Sequence, residues 1–263
     1  MAQRVTKFGA SLAPAGRGTV ILAYHRVGAR TPLEIDLPTA LFAEQVSRLA
    51  TPGRASTLED AMPRLRGAAS SVAPPAVVTF DDGTADFADV VLPVLVEHRL
   101  PVTLYLATAF VKEQRPFPDA GQPLSWDALR DACATGLVDV GSHTHTHALL
   151  DRLPPADIAD ELDRSQKLIE DRLGRACLDF AYPKALPPST AADAAVRARF
   201  RSAAVAGTRP NPPGKTDVYL LSRSPIQRGD GMKYFEEKLA GGMALEDTVR
   251  RVANKWRYRG ATT

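Results

Sequence analysis

Apolar and polar positions along the 263-residue chain switch repeatedly between two periods. Short runs with few polar interruptions read as buried strands: "TVILAYH", "PAVVTF", "PVTLYLAT", "LVDVGSH", "CLDFAYP", "RSAAVAG" and "DVYLLSRSPI". Longer segments of helical period lie between them. "PTALFAEQVSRLA" places Leu41, Val46 and Leu49 on one side. "ADFADVVLPVLVEHRL" reads as a helix in which Pro93 makes a kink or a break. "SWDALRDACATG" carries Ser125 as its N-cap and Gly136 just past its end. "PPADIADELDRSQKLIEDRLG", closed by Gly174, is the clearest amphipathic helix, and "STAADAAVRARF" is another. A Pro/Ser/Ala-rich stretch before "PAVVTF" reads as a link, and the C-terminal "MKYFEEKLAGG" and "LEDTVRRVANKWRYRG" read as helical.

Strands alternating with helices imply parallel pairing through right-handed crossovers, hence an α/β fold. About seven strands are one too few for a regular eightfold barrel. No internal repeat or low-complexity tract breaks the chain, so the expectation is one domain. A flexible arm over 1–17 precedes it and a basic helix or tail over 244–263 follows it.

Composition narrows the class. The 44% apolar content supplies a sizeable core. A net charge of +3 is too mild to call for nucleic acid. The first 20 residues lack the apolar core of a secretory signal, and no run is long enough to span a bilayer, so the cytoplasm is the expected location. Cys133 and Cys177 are read as two buried thiols. In the basic tail, Trp256 and Tyr258 sit among arginines, which allows weak contact with an anionic membrane surface. An exposed final helix is the plainer reading. The oligomeric state is not legible.

Three apolar strands run straight into chemistry. "ILAYHRV" ends on His25, "AVVTFDDG" on Asp81, Asp82 and Gly83, and "LVDVGSHTHTH" on His143, His145 and His147. In parallel α/β folds functional side chains collect at such strand ends. Adjacent aspartates in extended backbone point in opposite directions, so one can bind a metal while the other faces water or substrate. A helical backbone would gather His143 and His147, whereas an extended one would put all three histidines on one face. Either way, two imidazoles and a carboxylate form a ligand set with open positions for a divalent cation.

These motifs resemble the polysaccharide deacetylases, carbohydrate esterase family four, with their chitooligosaccharide-deacetylase homology domain. The T-F-D-D-G motif stands intact as Thr79 to Gly83, and H-[ST]-x-x-H as His143 to His147. "FAYPKA" resembles the third motif and "LLSRSPI" the late strand. The resemblance implies a distorted (β/α)7 TIM-like barrel over 18–243. It implies Asp82, His143 and His147 as metal ligands, with His145 as a spacer facing solvent or the cleft wall. Zinc is the expected ion, with cobalt, nickel or iron as substitutes. It further implies a metal-dependent hydrolase acting on carbon–nitrogen bonds other than peptide ones, an N-deacetylase of N-acetylated glycans. Metal-bound water would attack, Asp81 would be the base, and the amide of Tyr182 would donate to the oxyanion.

Two departures stand out. The arginine that opens the third motif is absent, and Arg223 is the substitute on the late strand. The late-motif histidine is also absent, and His25 takes its place as acid, as in a subgroup resembling exopolysaccharide deacetylases. Tyr182, Pro183 and Trp126 are the candidate sugar contacts, although core packing suits Trp126 better. His98 reads as structural at a helix end, and Lys184 as a solvated lysine beside the third motif. The competing readings are a catalytically silent glycan-binding relative and a metal-dependent amidase on a small non-sugar amide.

Overall fold

The computed structural model describes residues 17–69 and 73–243. In chain order they form β1 (Ile21–Tyr24), α1 (Thr39–Leu49), α2 (Leu58–Leu65), β2 (Ala76–Phe80), α3 (Leu92–His98), β3 (Val102–Leu106), α4 (Thr108–Glu113), α5 (Trp126–Ala134), β4 (Val138–Ser142), α6 (Pro155–Leu173), β5 (Asp179–Ala181), α7 (Thr190–Arg197), β6 (Ser202–Ala206), β7 (Leu221–Pro225) and α8 (Gly231–Leu239). The polar arm (Arg17 apart) and the basic tail with Trp256 and Tyr258 lie outside the described residues.

Each strand pairs in parallel with the next, and β7 returns to β1, so seven strands close a barrel. Closure is set by register: Leu22 of β1 lies beside Val78 of β2 on one side and Ser224 of β7 on the other. The outer ring of helices is irregular: the β6–β7 connection, residues 207–220, carries no helix. A short strand at Ala55–Ser56 extends the sheet beside β2, and Arg26–Val27 pairs with Asp36–Leu37 outside it.

The apolar positions sort into two layers. Val78 and Phe80 of β2 join the large core between barrel and helices, together with Phe42 and Val46 of α1 and Leu162 and Ile169 of α6. Val77, Ile21, Ala204 and Leu221 cluster instead with Leu58, Ala61, Met62 and Leu65 of α2. So α2 plugs the end of the barrel where the strands begin. That helix lies inside the segment read as a Pro/Ser/Ala-rich link. Its buried residues fall at i, i+3, i+4 and i+7, and Pro63 lies inside it. Thr57 caps it, accepting from the Asp60 N–H.

Other expectations shift in detail. The buried face of α1 is Phe42, Val46 and Leu49, with Leu41 only half-buried. A π-helical turn, Phe87–Val91, leads into α3, and Pro93 falls just after the change of pitch. A proline there lacks the N–H that a continuing α-helix would need. Helix α4, six residues with its first four buried and Lys112 and Glu113 exposed at its end, is too short to display a helical period in the sequence. No helix among the described residues is long and apolar enough to cross a membrane.

Candidate active site

The inward positions of β2 change character along the strand. Val77 sits on the α2 plug, Thr79 follows, and Asp81 continues the ladder by donating its N–H to the Tyr24 carbonyl. Period two would then send Asp82 outward. It does not go outward, because Asp82 has φ 75 and leaves the extended conformation. Gly83 follows at φ 95, where an added Cβ would lie 2.6 Å from Leu106 Cδ2. That turn brings both carboxylates to His143, whose Nε2 is 3.9 Å from Asp81 Oδ2 and 3.8 Å from Asp82 Oδ1.

The histidine run is neither a plain helix nor a plain strand. Left-handed residues at Thr144 (φ 64) and His147 (φ 65) fold it so that His143 and His147 stand together, with ring centroids 5.0 Å apart. His145 points elsewhere. It is buried, with Nδ1 2.8 Å from Thr108 Oγ1, so its expected exposure to solvent or the cleft wall is corrected. The cause is the docking of α4: Ala109 donates its N–H to the His145 carbonyl and Thr108 to that of Thr144.

His147 Nε2 lies 3.5 Å from Asp82 Oδ1, and ligand atoms of Asp82, His143 and His147 all fall within 4.8 Å of one another. These separations are long for hydrogen bonds. They approach the ligand–ligand edge around an ion bonded at roughly 2.0–2.1 Å. The Nδ1 of His143 donates to the Ala181 carbonyl at 2.7 Å, which leaves Nε2 unprotonated and aimed at the cluster. Burial pushes both imidazoles down, His147 to about 4, so neither carries a proton that a cation must displace near neutral pH. The donor set therefore fits a divalent ion.

Asp81 has a different environment. Arg223 reaches it through two nitrogens, at 2.6 Å to Oδ1 and 2.9 Å to Oδ2. Arg223 also donates to Thr79 Oγ1 at 3.1 Å, and its guanidinium lies 5.1 Å from the centre of the Tyr105 ring. Gly141 makes room, since a Cβ there would sit 2.6 Å from that ring and 2.7 Å from the Asp179 carbonyl. Burial raises the Asp81 carboxyl, but Arg223 first, then His143 and His25, outweigh it and hold it well below the usual carboxylate range. His25, one residue past β1, brings Nε2 to 3.8 Å from Asp81 Oδ2 and remains partly exposed. Its Nδ1 is buried and has no hydrogen-bond partner among the described residues.

The remaining candidates divide. The Tyr182 N–H is donated to the Ala204 carbonyl at 3.0 Å, a bond of the β5–β6 edge. Its expected service to an oxyanion is therefore corrected, because the ladder has already taken the donor. Tyr182 and Pro183 line a small recess with Leu149, Leu150, Leu186 and Pro187. Trp126 packs half-buried against the main core from the first turn of α5, where sequence reading had also offered it as a sugar contact. His98 ends α3. Lys184 has φ 54 in the turn after β5 and is close enough for its charge to act on His147. Cys177 is buried, but Cys133 is only half-buried.

Glu161 was missed. This buried carboxylate on α6 accepts the His145 N–H at 2.9 Å, the Thr146 N–H at 2.8 Å and the Thr146 hydroxyl at 2.8 Å. Its signal was a polar residue inside the apolar stripe of the clearest amphipathic helix.

Comparison with known proteins agrees with this geometry. A family profile described as polysaccharide deacetylase matches residues 70–203, just over half of the chain. A chitooligosaccharide deacetylase of Bradyrhizobium sp. (strain ANU 289) is 35% identical over 111 residues, 42% of this chain and 41% of that protein. The match thus spans well under half of the relative's length. The structure of IcaB from Ammonifex degensii superposes with a TM-score of 0.74 at 25% identity, over 86% of this chain and 98% of that one. The Streptococcus pyogenes deacetylase PplD, solved in complex with acetate, gives 0.73 at 18% identity, over 86% and 99%, and so bears on the fold alone.

Proposed function

The chain belongs to the polysaccharide deacetylase family, and from that premise we propose that it hydrolyses the acetamide of N-acetylated sugars in a glycan or glycan precursor. One observation carries this reading: three side chains able to hold a cation and a separate, arginine-paired carboxylate share one barrel mouth, with a histidine 3.8 Å from that carboxylate. A divalent ion, zinc by the character of the ligands, would supply acidity to water and polarise a carbonyl oxygen. Asp82, His143 and His147 would hold it.

The chain's own residues do the proton work. Asp81 takes a proton from the attacking water as its oxygen bonds to the acetyl carbon. Arg223 uses two of the carboxylate's lone-pair sites and leaves the others for that water. It also fixes the orientation of Asp81, which suits Arg223 as the substitute for the arginine that this chain's third motif lacks. His25 delivers a proton to the amine as the carbon–nitrogen bond breaks, which gives acetate and a free amino sugar. Tyr182 and Pro183, the sugar contacts offered by the sequence, are buried, so they would shape the wall of the site from beneath rather than present a surface to the sugar. The glycan class follows from the family and from the name of the Bradyrhizobium relative.

The test is acetate release from N-acetylglucosamine oligomers by metal-stripped protein with zinc or cobalt restored, run beside Asp81→Asn and His25→Ala. Metal-dependent release is expected, with Asp81→Asn inactive and His25→Ala retaining bound metal but slowed at least ~100-fold. Stoichiometric metal uptake without release would leave a glycan-binding protein or a different amide as substrate.

A further inference from the structure

Helix α6 buries Ile158, Leu162 and Ile169, and the same stripe contains Glu161 and Ser165, one turn apart. Both reach toward the turn that bears the ligand imidazoles. Glu161 takes both backbone N–H groups of residues 145 and 146, plus the Thr146 hydroxyl. Ser165 Oγ is 2.7 Å from Ser142 Oγ, which accepts the Thr144 N–H at 3.2 Å. From the other side, α4 holds the Thr144 and His145 carbonyls through its first amides, and Thr108 Oγ1 holds the His145 ring.

This turn needs holding. Thr144 and His147 both occupy left-handed backbone, which residues with a Cβ disfavour. An unclamped turn would relax toward ordinary φ and swing His147 away from Asp82. Glu161 is also a costly choice, since burying a carboxylate requires strong compensation. Among the described residues no arginine or lysine is paired with it, and its two oxygens are matched by three charge-assisted hydrogen bonds from the turn itself. Packing alone would be served as well by an apolar residue at this point of the stripe.

We propose that Glu161 is a positioning residue that preforms the metal-ligand turn, with His145 as its strut against Thr108, and that it thereby sets the affinity of the cation cluster. The inference rests on the metal reading above. Removing the clamp leaves the three ligands in place, but their ordering must then be supplied at the moment of binding, so the loss falls on affinity.

The experiment titrates zinc into metal-free parent, Glu161→Gln, Thr146→Val and Ile169→Val, well below each protein's unfolding temperature, and records each thermal midpoint. Gln keeps the shape and one oxygen for the two backbone N–H groups, but it loses the charge that strengthens those bonds and the acceptor for the Thr146 hydroxyl. Glu161→Gln is expected to bind zinc about 10–100-fold more weakly. Thr146→Val removes only the hydroxyl contact, and a loss of about 3–10-fold is expected. Ile169→Val should lower the midpoint and leave the zinc affinity alone, as any purely structural change would. A folded Glu161→Gln with the parent's affinity overturns the proposal. Where Glu161→Gln does not fold, Thr146→Val at the parent's affinity overturns it equally. Parent protein that takes up no zinc removes the metal reading and this inference together, whereas tight parental binding unmoved by the variants removes this inference alone.

Discussion

Removing one member of the Asp81–Arg223 pair strands the other as a buried charge. Both side chains are almost fully buried, at 5% and 2% exposure. Arg223→Met is therefore expected to cost about 3–5 kcal/mol, read from denaturant unfolding. The double variant Arg223→Met/Asp81→Leu should recover much of that loss while remaining inactive. Arg223→Lys should also lose stability, because an ammonium cannot make the two-point contact. A recovery absent from the double variant would mean the loss came from packing against Tyr105. The thiols offer a second check at this scale. Burial pushes both up, Cys177 more than Cys133. A thiol reagent at pH 8 should label Cys133 slowly in the native protein and Cys177 only after unfolding. Equal native labelling would contradict the burial of Cys177.

At the scale of elements, helix ends carry clear tests. Ser125 Oγ accepts the Ala128 N–H, so Ser125→Ala should lose about 1 kcal/mol, measured by chemical denaturation. Gly174 closes α6 at φ 66, and an added Cβ there meets no atom within 4 Å. Gly174→Ala should thus cost about 1–2 kcal/mol from backbone conformation alone. Gly141→Ala differs, because its Cβ meets the Tyr105 ring and the Asp179 carbonyl. A cost of roughly 1–3 kcal/mol is expected there, together with lower activity as Arg223 shifts with the ring. These ends were legible beforehand because caps and αL glycines are local devices. Helix α4 was not, because six residues are too few to display a period.

For the whole molecule, the barrel closes through β1, which pairs with both β2 and β7 and so carries His25 to Asp81 and Arg223. The core is apolar and Asp81 at its mouth is paired with Arg223, so a chelator should abolish acetate release without changing the far-ultraviolet circular dichroism. Restoring the ion at 100 times its Kd should raise stability by about 2.7 kcal/mol. Unfolding on chelation would instead show a structural ion.

By itself the sequence determined the alternation of strands and helices, the seven-strand count, the strand ends where chemistry gathers, and the residue types of the cluster. Each is written in local periodicity or in a contiguous motif. Only the tertiary structure decided which way side chains turn once the chain leaves a regular period. Left-handed backbone at Asp82, Thr144 and His147 overrides the alternation expected of extended chain, and β6 consumes the Tyr182 amide. Arg223 meets Asp81, and Glu161 meets the histidine turn, across 142 and 15 to 16 positions of sequence. No local pattern encodes such contacts, because they arise from how the barrel closes and how α6 docks against it.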